Sequence, residues 1–352
     1  MNRSKWSRIF NITVIVLSVV VVLWIVLSTD DLTRVGRELT SLDGRWLAAA
    51  FACYGGYLLM ESLGLMALVR AQGYRLGLGS AAHLSLTGVF YGYVTPGYSG
   101  GQPMEIYHMV RRKIDAGVSL SAVTVRHFFN HLTIVGMTLL LWAANAAFVR
   151  AEVGNLTVLI VIGCLMTFAN VPLTLAVVLN RPLVERFVRW CIRFLAKHRL
   201  CRHPGEWESK AMGTIANCHD AMKALVMRPL QVLAQLVISS VQGLCLMAVP
   251  CMVYKALGLS GTAWYQVLTI SYLLFVSASY APLPGATGAQ EGGFVVFFEG
   301  IFGASAAVGL LIWRFVTFYL CLLLGCADTV FISSREPRPC IRQMAGEEGN
   351  SK

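Results

Sequence analysis

Charge is what this sequence has least of: 13% of its residues are Asp, Glu, Lys or Arg, against about 25% in a typical soluble domain. Together with 56% hydrophobic residues and a mean hydropathy of +0.64, that shortage excludes a water-soluble globular protein and leaves an integral membrane protein. No GxxxxGK[ST] phosphate loop occurs, so no nucleotide-hydrolysing engine is visible in the sequence. The ten cysteines form no CxxC pair and lie mostly in apolar stretches, which argues against a disulfide framework or a zinc cluster. Cys191, His198, Cys201, His203, Cys218 and His219 share one polar region at irregular spacing, and neither a metal nor a cofactor is expected. After the first apolar run, "STDDLTR" offers no small-residue cleavage site, so that run is expected to remain as an uncleaved anchor.

What is present in quantity is apolar sequence. Runs long enough to span a bilayer, about 20 residues each, cover 9–28, 46–69, 125–149, 156–179, 230–254 and 304–332. They predict an all-α polytopic membrane protein with six full transmembrane helices in one membrane domain, 9–332. Between the spans lie two segments of another character, 78–110 and 262–303, each a pair of short apolar pieces around a Pro/Gly break. The breaks read "VTPGYSGGQP" from Val94 and "PLPGATGAQE" from Pro282. Broken backbone is tolerated at membrane depth only where protein surrounds it, so both segments are predicted to be re-entrant helical hairpins.

The distribution of basic residues supports that choice. With both hairpins re-entrant and both termini cytosolic, the loops on the cytosolic side carry 22 of the 29 Lys and Arg, as the positive-inside rule requires. The first hairpin then enters from the cytosol and the second from outside, which makes the two copies of the motif an inverted repeat, about 46–149 and 230–332, as in many transporters. The segment 181–229 between the repeats reads as a basic amphipathic linker. "VERFVRWCIRFLAKHRL" gathers Phe187, Trp190, Phe194 and Leu195 near one face, which predicts a helix lying on anionic headgroups of the inner leaflet. The net charge of +11 is accounted for by this orientation and the cytosolic tail 334–352, and no nucleic-acid partner is indicated.

Ionisable groups inside apolar segments are costly unless paired or facing water. Here they are Glu61, His83, Glu105, Arg126, His127, His131, Glu291, Glu299 and Arg314. Several have structural alternatives: Arg126 and Arg314 can pair with Glu61, Glu105 or Glu291, His83 can bond a carbonyl, and Glu291 can cap the helix that restarts after the second break. Pro103 suits the first turn of a helix beginning near Gly101. Two half-helix amino termini, pointing from opposite leaflets toward a common interior, would bind an anion, with Arg126 and Arg314 suited to a phosphate and the carboxylates to a cationic group. The expected substrate-contacting residues are Glu61, Gly100, Gly101, Gln102, Glu105, Arg126, His127, Gln290, Glu291 and Arg314. A phospholipid headgroup carrying phosphodiester and amine satisfies that description, as does a small amino-acid-like solute.

The stretches "TPGYSGGQPMEIYHMVRRK" with "GVSLSAVTVRHFFNHL", and "PLPGATGAQEGGFVVFF" with "LLIWRFVTFYLCLLLG", resemble the membrane domain of the lysylphosphatidylglycerol synthase/flippase (MprF-like) family over nearly the whole chain. The resemblance implies a flippase that moves an aminoacylated phospholipid to the outer leaflet of the bacterial plasma membrane and so lessens attraction for cationic antimicrobial peptides. In that family a separate soluble domain makes the lipid from aminoacyl-tRNA. These 352 residues are expected to correspond to the flippase half without that synthase half, so no enzyme activity is expected of this chain alone. The expected partners are the phospholipid substrate, membrane lipids and a separate aminoacyl-phosphatidylglycerol synthase, and a homo-oligomer is compatible. The sequence departs from the family's pattern at Arg126, His127 and Asn130. The alternatives are a secondary transporter of small polar solutes, the membrane part of a lysyltransferase system, and an embedded transferase using Glu105, His127 or Glu291 as base.

Overall fold

The computed structural model describes residues 32–197, 204–279, 281 and 283–331. The predicted first span, 9–28, and the tail 334–352 lie outside them, as do His198, Cys201 and His203. The described residues are helical, and no sheet forms among them.

A short helix α1 (Leu32–Thr40) leads to α2 (Gly44–Ala71), which starts where the Asp43 carboxylate accepts the Arg45 N–H at 2.9 Å. The first Pro/Gly segment is α3 (Leu78–Tyr93), the break, and α4 (Gly101–Arg111); α3 and α4 pack on each other, so the chain doubles back. Next comes α5 (Ala116–Ala144), which begins nine residues before the predicted span 125–149. Its start is fixed by a side chain that hydropathy does not weigh: Asp115 accepts the N–H groups of Gly117 and Val118 at 2.8 and 3.2 Å. At the other end Asn145 donates to Leu141 O and to Thr269 Oγ1, both at 3.0 Å. There the chain bends into α6 (Ala146–Val153), then a 3₁₀ turn and α7 (Thr157–Leu179).

The predicted linker departs from a single surface helix. It forms α8 (Arg181–Lys197) and α9 (Pro204–Val226), which pack together, and α9 also packs along α5. Cys218, Met222 and Leu225 of α9 are buried in a cluster with Leu65, Leu68 and Val125. Only α8 keeps the expected exposed aromatic row, Phe187, Trp190 and Phe194, with successive rings stacked 6.1 and 5.8 Å apart. The helix-period pattern of α9 is therefore satisfied by protein rather than by headgroups.

The second half opens with α10 (Pro229–Met247) and α11 (Val249–Ala256), one predicted span bent where Pro250 removes a backbone donor. The second Pro/Gly segment is α12 (Trp264–Ala278), the break, and α13 (Ala289–Phe302), again packed as a hairpin. Gly303, at φ +53°, turns the chain into α14 (Ala306–Arg314), which packs back on α13. A π turn, Phe315–Tyr319, and α15 (Leu320–Phe331) complete the described chain.

Five stretches are long and apolar enough to cross a membrane: Gly44–Ala71, Ala116–Ala144, Ala146–Thr174, Pro229–Ala256 and Ala289–Asp328. Each overlaps one of the predicted spans 46–69, 125–149, 156–179, 230–254 and 304–332. The largest apolar cluster joins α2, α10 to α14 and an aromatic stack in which Phe294 lies 5.0 Å from Trp313.

Candidate functional site

The two breaks fold into nearly the same turn. Gly97 and Gly285 have φ +59° and +58°, and the next residues, Tyr98 and Ala286, are also left-handed at +60° and +50°. That conformation is unfavourable for residues bearing a Cβ. Each turn is held by a hydroxyl: Ser99 Oγ donates to Pro96 O, and Thr287 Oγ1 to Pro284 O, both at 2.8 Å. The two turns meet, with backbones antiparallel at Pro96 and Pro284.

Around this meeting point lies a cavity of about 610 Å³, within the range of small-ligand sites, about 300–1,000 Å³. Gly97, Tyr98, Ser99, Gln102 and Pro103 wall it from the first break, and Leu283, Gly285, Ala286 and Gln290 from the second. Glu61 and Tyr57 of α2, His127, Asn130 and His131 of α5, Thr167 and Asn170 of α7, Gln242 of α10 and Arg314 of α14 supply most of its remaining polar lining.

Two buried ion clusters back this wall. Arg126 Nη2 lies 2.6 Å from Glu105 Oε2 and 3.1 Å from Glu61 Oε1, so one guanidinium serves two carboxylates. Gly88 makes room for this, because a Cβ there would lie 3.2 Å from Glu105 Oε2. Glu61 also accepts a short hydrogen bond from the Gln242 amide. In the second cluster Arg314 meets Glu291 Oε1 through Nε at 2.8 Å and Nη2 at 2.6 Å. The other Glu291 oxygen accepts the Gly288 N–H at 2.6 Å and so caps α13. The Arg314 guanidinium is held between the Trp313 and Phe318 rings, 5.3 and 5.0 Å from their centroids.

Of the residues expected to contact substrate, the structure brings Glu61, Gln102, His127, Gln290 and Arg314 to the cavity surface. Glu105, Arg126 and Glu291 stand behind it, at 1%, 2% and 0% exposure, engaged with their ion partners. Gly100 and Gly101 serve the hairpin crossing: the Gly100 N–H goes to Thr95 Oγ1 at 2.8 Å, and a Cβ on Gly101 would sit 2.6 Å from Gly88 O. Glu299 is exposed on α13, away from the cavity. His83 bonds Asp328 at 2.8 Å instead of a carbonyl, tying α3 to α15. Sequence reading missed Gln242, Asn170, Thr167 and the tyrosines of the lining. Neutral polar side chains in an apolar helix give no charge signal; the signal that remains is helical spacing, as in Gln235, Ser239 and Gln242 along α10. Among the described residues no His, Cys, Asp and Glu cluster suited to a metal occurs.

The family model for the lysylphosphatidylglycerol synthase TM region matches residues 11–325. The chain belongs to that family. It is a multi-pass membrane protein, and the match covers both hairpins, both ion clusters and the cavity between them. A UPF0104 membrane protein of Archaeoglobus fulgidus is 21% identical over 286 residues, 79% of this chain and 84% of that protein.

Proposed function

We propose that this family member is a lipid flippase: a phospholipid headgroup occupies the central cavity while its acyl chains stay in the bilayer. The observation that carries this reading is a headgroup-sized cavity, walled by both helix breaks, with Arg314 and Glu61 on an otherwise largely apolar surface. Arg314 suits a phosphodiester, and Glu61 suits an amine such as that of aminoacylated phosphatidylglycerol. Gln102 and Gln290 stand in the first turns of the two restarted helices, where amide donors and the helix dipole favour an anion.

Two inverted repeats, about 46–149 and 230–332, underlie the proposed mechanism. Supporting them, Pro96 and Pro284, Ser99 and Thr287, and Arg126 and Arg314 are each separated by the same 188 positions, and the turns they belong to match in φ and hydrogen bonding. Rocking of one repeat against the other would expose the cavity to each leaflet in turn. In this reading both hairpins are re-entrant, both termini and the 181–229 linker are cytosolic, and a separate synthase supplies the lipid in a bacterial plasma membrane, where export would counter cationic peptides.

The test is reconstitution into liposomes carrying fluorescently tagged phosphatidylglycerol, lysylphosphatidylglycerol or phosphatidylethanolamine. Dithionite quenching should reveal leaflet exchange faster than in protein-free liposomes, slowed by Arg314→Gln. Exchange no faster than in empty liposomes for every headgroup would overturn the reading, and uptake of a soluble amino acid without lipid exchange would favour a small-solute transporter.

A further inference from the structure

The two ion clusters do not balance. Glu61, Glu105 and Glu291 face two guanidiniums, Arg126 and Arg314, which leaves one negative charge in a buried region. The Arg314–Glu291 pair is complete, because both Glu291 oxygens have donors. The excess therefore sits at Arg126, where two carboxylates share one Nη2 and where Glu105 Oε1 and Arg126 Nε have no partner among the described residues. An uncompensated buried charge is strongly disfavoured, and two carboxylates sharing a site favour taking up one cation. The groups facing Glu61 are Tyr57 on its own helix, Tyr93 on α3, Tyr98 in the first break, Glu105 on α4, Arg126 on α5 and Gln242 on α10, with His127 and His131 of α5 and Arg314 of α14 on the same cavity wall. Among the described residues, Arg126 is the cation within ion-pair distance of it.

A second observation concerns α10. Gln231, Gln235, Ser239 and Gln242 fall within about 80° of arc on one helix face, at roughly 100° per residue, and extend along about 16 Å of it. All four carry buried side-chain polar atoms without partners among the described residues, and Gln235 and Ser239 are fully buried. This face looks toward Gly64 of α2, where a Cβ would lie 3.0 Å from Gln235 Nε2 and 3.6 Å from Arg126 Cδ. One end of the row is Gln242, bonded to Glu61. The other is Gln231, one turn from Arg228, which lines a cavity of about 370 Å³ between α2, α5 and α9. Buried polar atoms in such a row are ordinarily satisfied by ordered water.

We propose that Glu61, Arg126 and Glu105 form a proton-binding site, reached by water along the Gln231, Gln235, Ser239, Gln242 row, and that its proton exchanges for the cationic group of the transported headgroup. When the ammonium reaches Glu61, the proton leaves the carboxyl for water in the row; when the headgroup departs, a proton returns. The exchange rests on the flippase reading above, whereas the proton site does not.

The experiment uses the full chain in phosphatidylethanolamine/phosphatidylglycerol liposomes with tagged lysylphosphatidylglycerol, under acid-inside and acid-outside gradients. Exchange by the native chain is expected to change several-fold with gradient direction. Gln235→Met and Ser239→Ala, which interrupt the row, should slow exchange several-fold at symmetric pH and flatten its gradient response. In parallel, infrared titration of the same samples should reveal a protonated carboxyl stretch at neutral pH that is absent from Glu61→Gln and from Glu105→Gln. Absence of that band in the native chain overturns the site. Exchange indifferent to the pH gradient, or following a sodium gradient instead, overturns the coupling. The band without exchange of any tagged lipid supports the site and overturns the flippase reading.

Discussion

Replacing Arg126 by Met should destabilise the fold more than the same change at Arg314, because of what each guanidinium leaves behind. Breaking a buried ion pair from one side costs about 3–5 kcal/mol, since the partner charge stays buried. Arg126→Met takes the shared donor from two carboxyl groups, Glu105 at 2.6 Å and Glu61 at 3.1 Å. Of these, Glu61 retains the Gln242 amide, while Glu105 has no other donor among the hydrogen bonds described. Arg314→Met strands Glu291 alone, which keeps the Gly288 N–H at 2.6 Å; a retained charge-assisted hydrogen bond of about 1.5–3 kcal/mol reduces the loss to roughly 1–3 kcal/mol. Adding Glu105→Gln to Arg126→Met removes the carboxyl left without a donor and should restore about 2 kcal/mol. Reversible unfolding in mixed micelles titrated with SDS, followed by tryptophan fluorescence, measures each step, and the double-mutant cycle isolates the coupling. Equal losses for the two arginines, or a double variant no more stable than Arg126→Met, would refute this account of the clusters.

Gly101→Val should cost about 1–3 kcal/mol by overpacking, because its Cβ would press on Gly88 O at 2.6 Å; Gly55→Val, which meets open space on α2, is the control in the same unfolding assay. Asp328→Asn should loosen α3 from α15 by weakening the 2.8 Å bond to His83, a loss of about 1–3 kcal/mol visible as faster amide exchange over Leu78–Tyr93 without change in Ala116–Ala144. Burial, helped by the charge of Asp115, pushes the Cys218 thiol from 9.0 up to about 12, so at pH 8 it holds about a thousandfold less thiolate than an unshifted thiol. In a variant retaining only that cysteine, maleimide labelling should be slow at pH 8, rise as the pH approaches 12, and become fast at pH 8 once SDS unfolds the chain; rapid labelling of the folded chain at pH 8 would contradict the packing of α9 on α5.

The sequence alone determined the class of protein and the two Pro/Gly breaks at its hairpins, since hydropathy and Pro/Gly positions depend on local chemistry. It also singled out Glu61, Arg126 and Arg314, because an ionisable group in an apolar run stands out without any neighbour being known. Helix starts were less legible: α5 begins at Ala116 through the Asp115 cap, a hydrogen bond that hydropathy averages over. The course of the linker was illegible for a related reason, because an amphipathic face such as that of Cys218, Met222 and Leu225 has the same period whether lipid or protein covers it.

Only the tertiary structure decided which charges face the cavity and which stand behind it. Arg126 and Arg314 occupy matching places in sequence, yet Arg126 is enclosed by Glu105 and Glu61 while Arg314 reaches the cavity wall between two aromatic rings. Arg126 finds its carboxylate partners 21 and 65 residues away and Arg314 its own 23 away, and the prolines that meet lie 188 positions apart. Pairing across such distances depends on how helices cross, and no local pattern of residues encodes that.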